Sequence, residues 1–300
     1  MTGLMSITDL YGYEITQILD RADVLAEAWS QNKMPQSLAN KQVGLWFYGQ
    51  GFRNRVAFEI GARAMGASVS YIPGELGIHE PLEDIGHYLE NWFSMLVVRS
   101  KKHENLLALA KDLSIPIINA RTNYNHPCEI LGDLQFLRKH RGSLDGLNVV
   151  FVGEVANLCM SWFEAAVRLP ISVTQVAPAG YLADKELVTA LNTGAVGKIT
   201  TAEELEPLLS KADLIYTDCW PRSDNDFDSR RIAELFLPYQ ITVEHLNALH
   251  SKAVFLPCPP VTRGQEISYG TMESPLCLNF KAKEYLLYSQ NAVMEYFSGQ

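Results

Sequence analysis

No uncharged apolar run in the sequence approaches the ~18–20 residues that a membrane-spanning helix requires. Residues 1–19, with Asp9 and Glu14 among them, lack the basic-then-apolar layout of a secretory leader. The expectation is a cytoplasmic protein with no membrane partner. Clustered Lys and Arg are missing as well: the formal net charge is −9, and the basic stretches at 99–102 and 138–141 are short. Nucleic acid is gripped by dense cationic surfaces, so it is excluded as a partner. Cysteines are few and scattered. Cys128, Cys159, Cys219, Cys258 and Cys277 are odd in number and include no Cys-x-x-Cys pair, which gives neither a disulfide framework nor a zinc knuckle and fits reduced thiols. No repeat with a period of about 20–50 residues is present, which excludes a solenoid.

What the chain does have is apolar material for more than one core. Its 300 residues are 47% hydrophobic and 20% charged, and a chain of that length divides naturally into two domains of roughly 130–150 residues. Apolar spacing predicts a helix over 9–31. A βαβ rhythm follows, with strands at 43–48, 67–72, 95–98 and 115–118 and helices at 52–65, 81–92 and 104–113. A long helix is predicted over 126–140, then a turn-rich break at Arg141-Gly142-Ser143. The rhythm restarts with strands at 147–153, 172–177, 214–217 and 254–256 and helices at 157–169 and 184–192, and a helix at 281–297 closes the chain. The fold class is therefore α/β, with two doubly wound parallel-sheet lobes. Their spans are 1–140, 141–280, and a C-terminal helix at 281–300 packing back on the first lobe.

Ligands of such sheets sit beyond the carboxyl ends of the strands, and four loops there carry polar residues. The first is Gly49-Gln50-Gly51-Phe52-Arg53-Asn54-Arg55. It is either an anion site, where a helix N-terminus offers unpaired N–H groups beside two arginines, or a capped helix whose arginines pair with surface carboxylates. The second, His126-Pro127-Cys128-Glu129, opens a helix; its histidine either donates to a carbonyl oxygen or packs as a cap. The third, Cys258-Pro259-Pro260-Val261-Thr262-Arg263-Gly264, is a stiff loop after a strand, where Cys258 acts on a substrate or is an inert small hydrophobe. In the fourth, Asp218-Cys219-Trp220, Asp218 meets an amino group or caps a turn.

The order of these motifs resembles the aspartate/ornithine carbamoyltransferase family from about Gly44 onward. Arg53-Asn54-Arg55-Val56-Ala57-Phe58-Glu59 followed by Met65-Gly66-Ala67 is similar to the signature Ser-Thr-Arg-Thr-Arg-x-Ser-Phe-Glu with its trailing Leu-Gly-Gly, which binds the phosphate of carbamoyl phosphate. Arg99 resembles the arginine that reaches the carbonyl oxygen, and His126-Pro127-Cys128-Glu129 resembles His-Pro-x-Gln. The Gly153 to Asn157 turn, Ala177-Pro178-Ala179-Gly180-Tyr181, Asp218-Cys219-Trp220 and Cys258-Pro259-Pro260-x-x-Arg263-Gly264 resemble acceptor-lobe motifs.

The resemblance implies an enzyme that transfers a carbamoyl group to the amine of an amino acid or related amine, as a cytoplasmic homotrimer with no cofactor and no metal. It implies Arg53, Arg99, His126 and Cys258 as catalytic residues and Gly51, Phe52, Arg53, Asn54, Arg55, Glu129 and Arg263 around the donor anion. Asn157, Asp218, Cys258 and Pro259 would bind the acceptor, and Glu75 and His79 would come from the neighbouring subunit's loop. The small-molecule partners are carbamoyl phosphate or a related anion and an amino acid or amine.

The chain departs from the pattern where the donor is gripped. Gly51 and Phe52 stand at the Ser and first Thr, Asn54 at the second Thr, Glu129 at the Gln, and Glu75 and His79 at Gln and Lys of the partner loop. On the acceptor side Pro221-Arg222-Ser223 replaces Ser-Met-Gly, and Pro257 replaces a His. Each lost donor to a charged group costs about 1.5–3 kcal/mol, and a facing carboxylate repels a dianion further. Two other readings follow from these changes: a diverged enzyme taking a cationic or less anionic substrate, and a non-catalytic partner or sensor.

Overall fold

In the computed structural model, residues 3–49, 51–78, 80–111 and 113–299 are described. The chain divides into two compact units, Met1–Lys139 with Lys283–Gln300, and His140–Ala282. Unit 1 runs β1 (Gly3–Leu4), α1 (Gly12–Ser30), β2 (Gln42–Phe47), α2 (Phe52–Ala64), β3 (Ser68–Pro73), α3 (Leu82–Glu90), β4 (Met95–Arg99), α4 (His103–Ala110), β5 (Ile117–Arg121) and α5 (Pro127–Arg141). Unit 2 runs β6 (Asn148–Val152), α6 (Asn157–Arg168), β7 (Ser172–Val176), α7 (Lys185–Asn192), β8 (Lys198–Ala202), α8 (Glu206–Leu209), β9 (Leu214–Thr217), α9 (Asp226–Phe236), α10 (Val243–Asn247), β10 (Val254–Pro257) and α11 (Asn279–Ala282). The chain then returns to unit 1 with α12 (Tyr285–Ser298).

Each unit holds one five-stranded sheet, ordered β1-β5-β4-β2-β3 and β10-β9-β6-β7-β8, with parallel pairings throughout. Parallel strands covered on both faces read as continuous apolar runs, and Met95–Val98 and Val149–Val152 are buried at every position. In unit 1, Trp46, Leu96, Val98 and Ile117 pack with Leu106 and Leu109 of α4. In unit 2, Val150, Val152, Ile215 and Phe255 pack with Leu205, Leu209 and Leu246.

Several elements differ from the sequence expectation, which also did not foresee β1, α8, α9 and α10. The strand expected at 115–118 continues through Asn119 and Ala120 to Arg121. An unforeseen strand, β8, pairs with β7 at the sheet edge, where Lys198-Ile199-Thr200-Thr201-Ala202 buries only Ile199 fully and so shows no apolar run. The single closing helix is two helices, α11 and α12, separated at Lys283 and Glu284.

Helix α12 packs on α1 and α2, and its approach to α2 depends on Gly61. A Cβ at position 61 would lie 1.8 Å from Oδ1 of the buried Asn291. Gly61→Ala therefore overpacks the contact and should destabilise the chain by about 1–3 kcal/mol, read as a lowered urea midpoint. An unchanged midpoint would show that α12 can shift at no cost.

Candidate active site

Where each sheet's winding reverses decides where a ligand can sit. In unit 1 the chain moves from β2 outward to β3, then restarts on the other flank of β2 with β4. In unit 2 it moves from β6 through β7 to β8, then restarts beside β6 with β9. Loops leaving adjacent strands in opposite directions open a crevice at their carboxyl ends. The loops after β2 and β4, and those after β6 and β9, are the positions so defined.

In unit 1 the loop after β2 enters α2 through Gly51, whose φ is +27°. The Arg99 guanidinium lies over it: a Cβ at Gly51 would meet Nη1, Cζ and Nε of Arg99 at 2.8–2.9 Å. Glycine is thus favoured here twice, by the backbone conformation and by the close guanidinium. Arg99 ends β4, and its pKa is lowered to about 10 by burial and then by the charge of Arg121, so it stays protonated at neutral pH. Its buried Nε has no hydrogen-bond partner. Arg53 and Phe52 are both exposed, with the Arg53 guanidinium 4.6 Å from the Phe52 ring centroid. Arg55 stacks at 4.5 Å on Tyr71. Among the described residues, none of Arg53, Arg55, Arg99 and Arg121 pairs with a carboxylate. Of the two sequence readings of this loop, the one in which its arginines are paired at the surface is removed.

Asn54 corrects an expectation. Its side chain, 4% exposed, turns inward. Nδ2 donates to the Ala120 carbonyl at 2.9 Å and lies 3.3 Å from His126 Nε2, while Oδ1 accepts from Gln290 Nε2 at 2.8 Å. Because a carbonyl only accepts, Ala120 fixes which end of the amide is nitrogen, and the second N–H then points at His126 Nε2. That assigns the imidazole proton to Nδ1. His126 is buried, and its pKa falls to about 3, mainly through desolvation; Glu129 opposes this, while Arg121, Arg99 and Lys283 add to it. The imidazole is neutral at pH 7, so its 3.7 Å separation from Glu129 is no ion pair.

Glu129 corrects a second expectation. Rather than facing an anion unshielded, its Oε1 is 2.6 Å from Lys283 Nζ. The same Nζ donates to Asp133 Oδ1 and Oδ2 at 2.8 and 3.1 Å. Burial works against ionisation of Glu129, but the Lys283 ammonium, and to a lesser extent Arg53, outweigh it and hold the carboxyl below its ordinary range. Glu75 is half-buried in the loop after β3. His79 lies outside the described residues.

The state of His126 gives a pH test. The imidazole titrates near 3 in the folded chain and near 6.5 in the unfolded one. Between these values the unfolded chain binds more protons, so this contribution to stability is complete above about pH 6.5 and lost progressively toward pH 3. His126→Gln should therefore lose less Tm than the parent between pH 7 and pH 4.5. Equal losses would show that the imidazole titrates in the folded chain as it does in the unfolded one.

In unit 2, Asn157, Asp218, Cys258 and Pro259 stand at the carboxyl edge of the neighbouring strands β6, β9 and β10. Asn157 is the buried first residue of α6. Asp218 Oδ1 accepts from the Cys219 N–H at 2.8 Å. The N–H of Cys258 donates to the Thr217 carbonyl at 2.7 Å, and its thiol is buried. Pro259 is half-buried. The Cys219 thiol donates to the Pro260 carbonyl at 2.9 Å and is pushed up to about 12 by burial and by Asp218, which removes it as a nucleophile at neutral pH. Burial also raises the Glu154 carboxyl. Arg263 is exposed and lies 3.8 Å from Glu273. Among the described residues no cluster of His, Cys, Asp and Glu could hold a metal ion.

Three residues were not foreseen: Arg121, Lys283 and Gln290. Arg121 had a signal, a basic residue just before the His126 loop, obscured because the strand was ended too early. Lys283 and Gln290 had none, since each acts on residues far away in sequence.

Residues 3–139 match the family model described as aspartate/ornithine carbamoyltransferase, carbamoyl-P binding domain. Residues 145–297 match that of the Asp/Orn binding domain. The ornithine carbamoyltransferase of Desulfotalea psychrophila is 31% identical over 299 residues, covering 99% of each chain. That of Methanosphaera stadtmanae is 31% identical over 302 residues, covering 98% of each. The solved ornithine carbamoyltransferase from Pyrococcus furiosus is 25% identical, with a TM-score of 0.93 over 98% of this chain and 96% of its own. The two parallel-sheet lobes and these likenesses define a carbamoyltransferase-like enzyme. The chain belongs to the aspartate/ornithine carbamoyltransferase family.

Proposed function

We propose that the chain moves the carbamoyl group of carbamoyl phosphate to the amine of an amino acid, with an acceptor of the ornithine class as the first to test. What carries this reading is the Arg99 guanidinium: half-buried, without a carboxylate partner, and in the same site as the neutral His126. The amine lone pair attacks the carbamoyl carbon and forms the new C–N bond. Negative charge then develops on the carbamoyl oxygen, where Arg99 and the Nδ1–H of His126 stabilise it. Collapse breaks the C–O bond to phosphate, which leaves with the electron pair toward Arg53, Arg55 and the N–H groups of Gly51 and Phe52; the surplus proton of the attacking nitrogen goes to phosphate or water. Neither step needs a covalent intermediate, and Cys258 serves as a substrate contact alongside Asn157, Asp218 and Pro259. Lys283 shields the donor from Glu129, which removes the main argument for a cationic ligand in unit 1.

Family membership and an exposed apolar surface support a homotrimer in the cytoplasm. Phe52, Val56 and Ile60 recur at i, i+4 and i+8 on α2 and are 56, 38 and 45% exposed, with Tyr71 and Ile78 at 44 and 61% on the same unit. Apolar stripes of this kind are covered in assemblies. Incubation with carbamoyl phosphate and a panel of amines, L-ornithine first, followed by mass detection of a ureido product and by phosphate release, tests the reaction. Phosphate release no faster than without protein, and no ureido product from any amine, would overturn it.

A further inference from the structure

We propose that Arg121 is a second guanidinium on the phosphate-like group bound in unit 1, supplying side-chain hydrogen bonds that Gly51, Phe52 and the inward-turned Asn54 do not. This rests on the donor reading above for the identity of the anion, though not for its presence. The placement follows from a register shift. Strands β4 and β5 run in step up to Val98 opposite Asn119, and then Arg99 pairs with Arg121, so that β5 carries one extra residue, Ala120.

A bulge of this kind re-aims the side chains beyond it. Without it, Ala120 would stand opposite Arg99 and Arg121 would point to the other face of the sheet. With it, Ala120 is fully buried and offers its carbonyl to Asn54, while Arg121 stands beside Arg99 at the carboxyl edge. The charge of Arg121 acts on both Arg99 and His126. Its own side chain has no hydrogen bond or ion pair among the described residues.

Two guanidinium groups on adjacent strands, neither in an ion pair with a carboxylate among the described residues, repel each other until an anion joins them. A phosphate dianion relieves that repulsion, because each planar fork can donate to separate phosphate oxygens. The same arrangement favours ligands carrying a full dianion over singly charged ones. Arg121 thereby sets which anions the site accepts, and compensates for the hydroxyl donors the loop lacks.

The test uses the full-length protein and two probes, inorganic phosphate and carbamoyl phosphate, titrated calorimetrically against the parent, Arg121→Met and Arg121→Lys. Arg121→Met should weaken both probes by about 10- to 100-fold, and Arg121→Lys, which keeps the charge but loses the fork, should fall between. Without phosphate, Arg121→Met should melt at or above the parent Tm because a like charge has gone; with millimolar phosphate the parent should gain Tm and the variant should not. Phosphate affinities within twofold across all three proteins, or no phosphate-dependent gain in the parent, would overturn the assignment. Arg121-dependent phosphate binding without any carbamoyl transfer would sink the donor reading alone. Carbamoyl transfer in Arg121→Met at the parent KM would sink the assignment alone.

Discussion

Lys283→Met should cost the folded chain about 3–5 kcal/mol at neutral pH, the usual penalty for leaving a buried charge without its partner. The Lys283 side chain is 12% exposed, and it holds two carboxylates of which Glu129 is 7% and Asp133 1% exposed. Remove the ammonium and two negative charges one helical turn apart on α5 face each other in a desolvated space. In the parent, Glu129 titrates below its ordinary value, so its contribution to stability is present above the unfolded carboxyl pKa and lost as pH falls through the folded one. In the variant, burial and Asp133 push Glu129 up instead, the folded chain takes up a proton first, and the gap between parent and variant narrows below about pH 5. Adding Glu129→Gln should recover part of the loss at pH 7, since only one buried charge is then unpaired, giving a coupling above ~1 kcal/mol in a double-mutant cycle. Guanidinium unfolding of the four proteins measures this. A Lys283→Met chain within ~0.5 kcal/mol of the parent would mean that Glu129 and Asp133 are reached by water.

Arg99→Met should do the opposite to stability and far more to turnover. No carboxylate pairs with this guanidinium, burial and Arg121 lower its pKa, and its buried Nε lacks a partner, so deleting it relieves desolvation and repulsion. The Tm should hold or rise. Catalysis should fall by about 10²–10³ in kcat/KM or more, the scale seen when one preorganised donor to a developing oxyanion is removed. Stability kept back in this way marks groups held for function. If Arg99→Met instead unfolds the chain, Arg99 is a packing residue; if it turns over like the parent, the oxyanion is stabilised by other groups.

The fold could be read from the sequence wherever apolar runs were continuous. Residues of β2, β4, β6, β9 and β10 are buried almost throughout, and such runs leave few alternatives to a parallel strand. The edge strand β8 was invisible because only Ile199 is fully buried there, and a strand open to solvent carries no run to read. The site was half legible. Arg53 and His126 stand where a loop opens a helix, so position drew attention to them, whereas Arg99 entered through the family resemblance. Glu129 misled, because a carboxylate's meaning depends on its partner and the same Lys283 also binds Asp133, 150 positions away. Asn54 misled for a related reason: a polar residue on the first turn of a helix reads as ligand-facing, and only the distant Gln290 and the carbonyl of Ala120 show which way it turns.

Because the chain leaves unit 1 at Lys139 and re-enters it at Lys283, that unit cannot be finished in the order in which it is synthesised. A nascent chain ending near Lys139 already carries Arg53, Arg55, Arg99 and Arg121, yet it has neither the ammonium that neutralises Glu129 nor the Gln290 amide that bonds Asn54. Its imidazole would be free to hold its proton on either nitrogen. The basic groups would be in place early, and a site with one defined tautomer would wait for the arrival of Lys283 and α12.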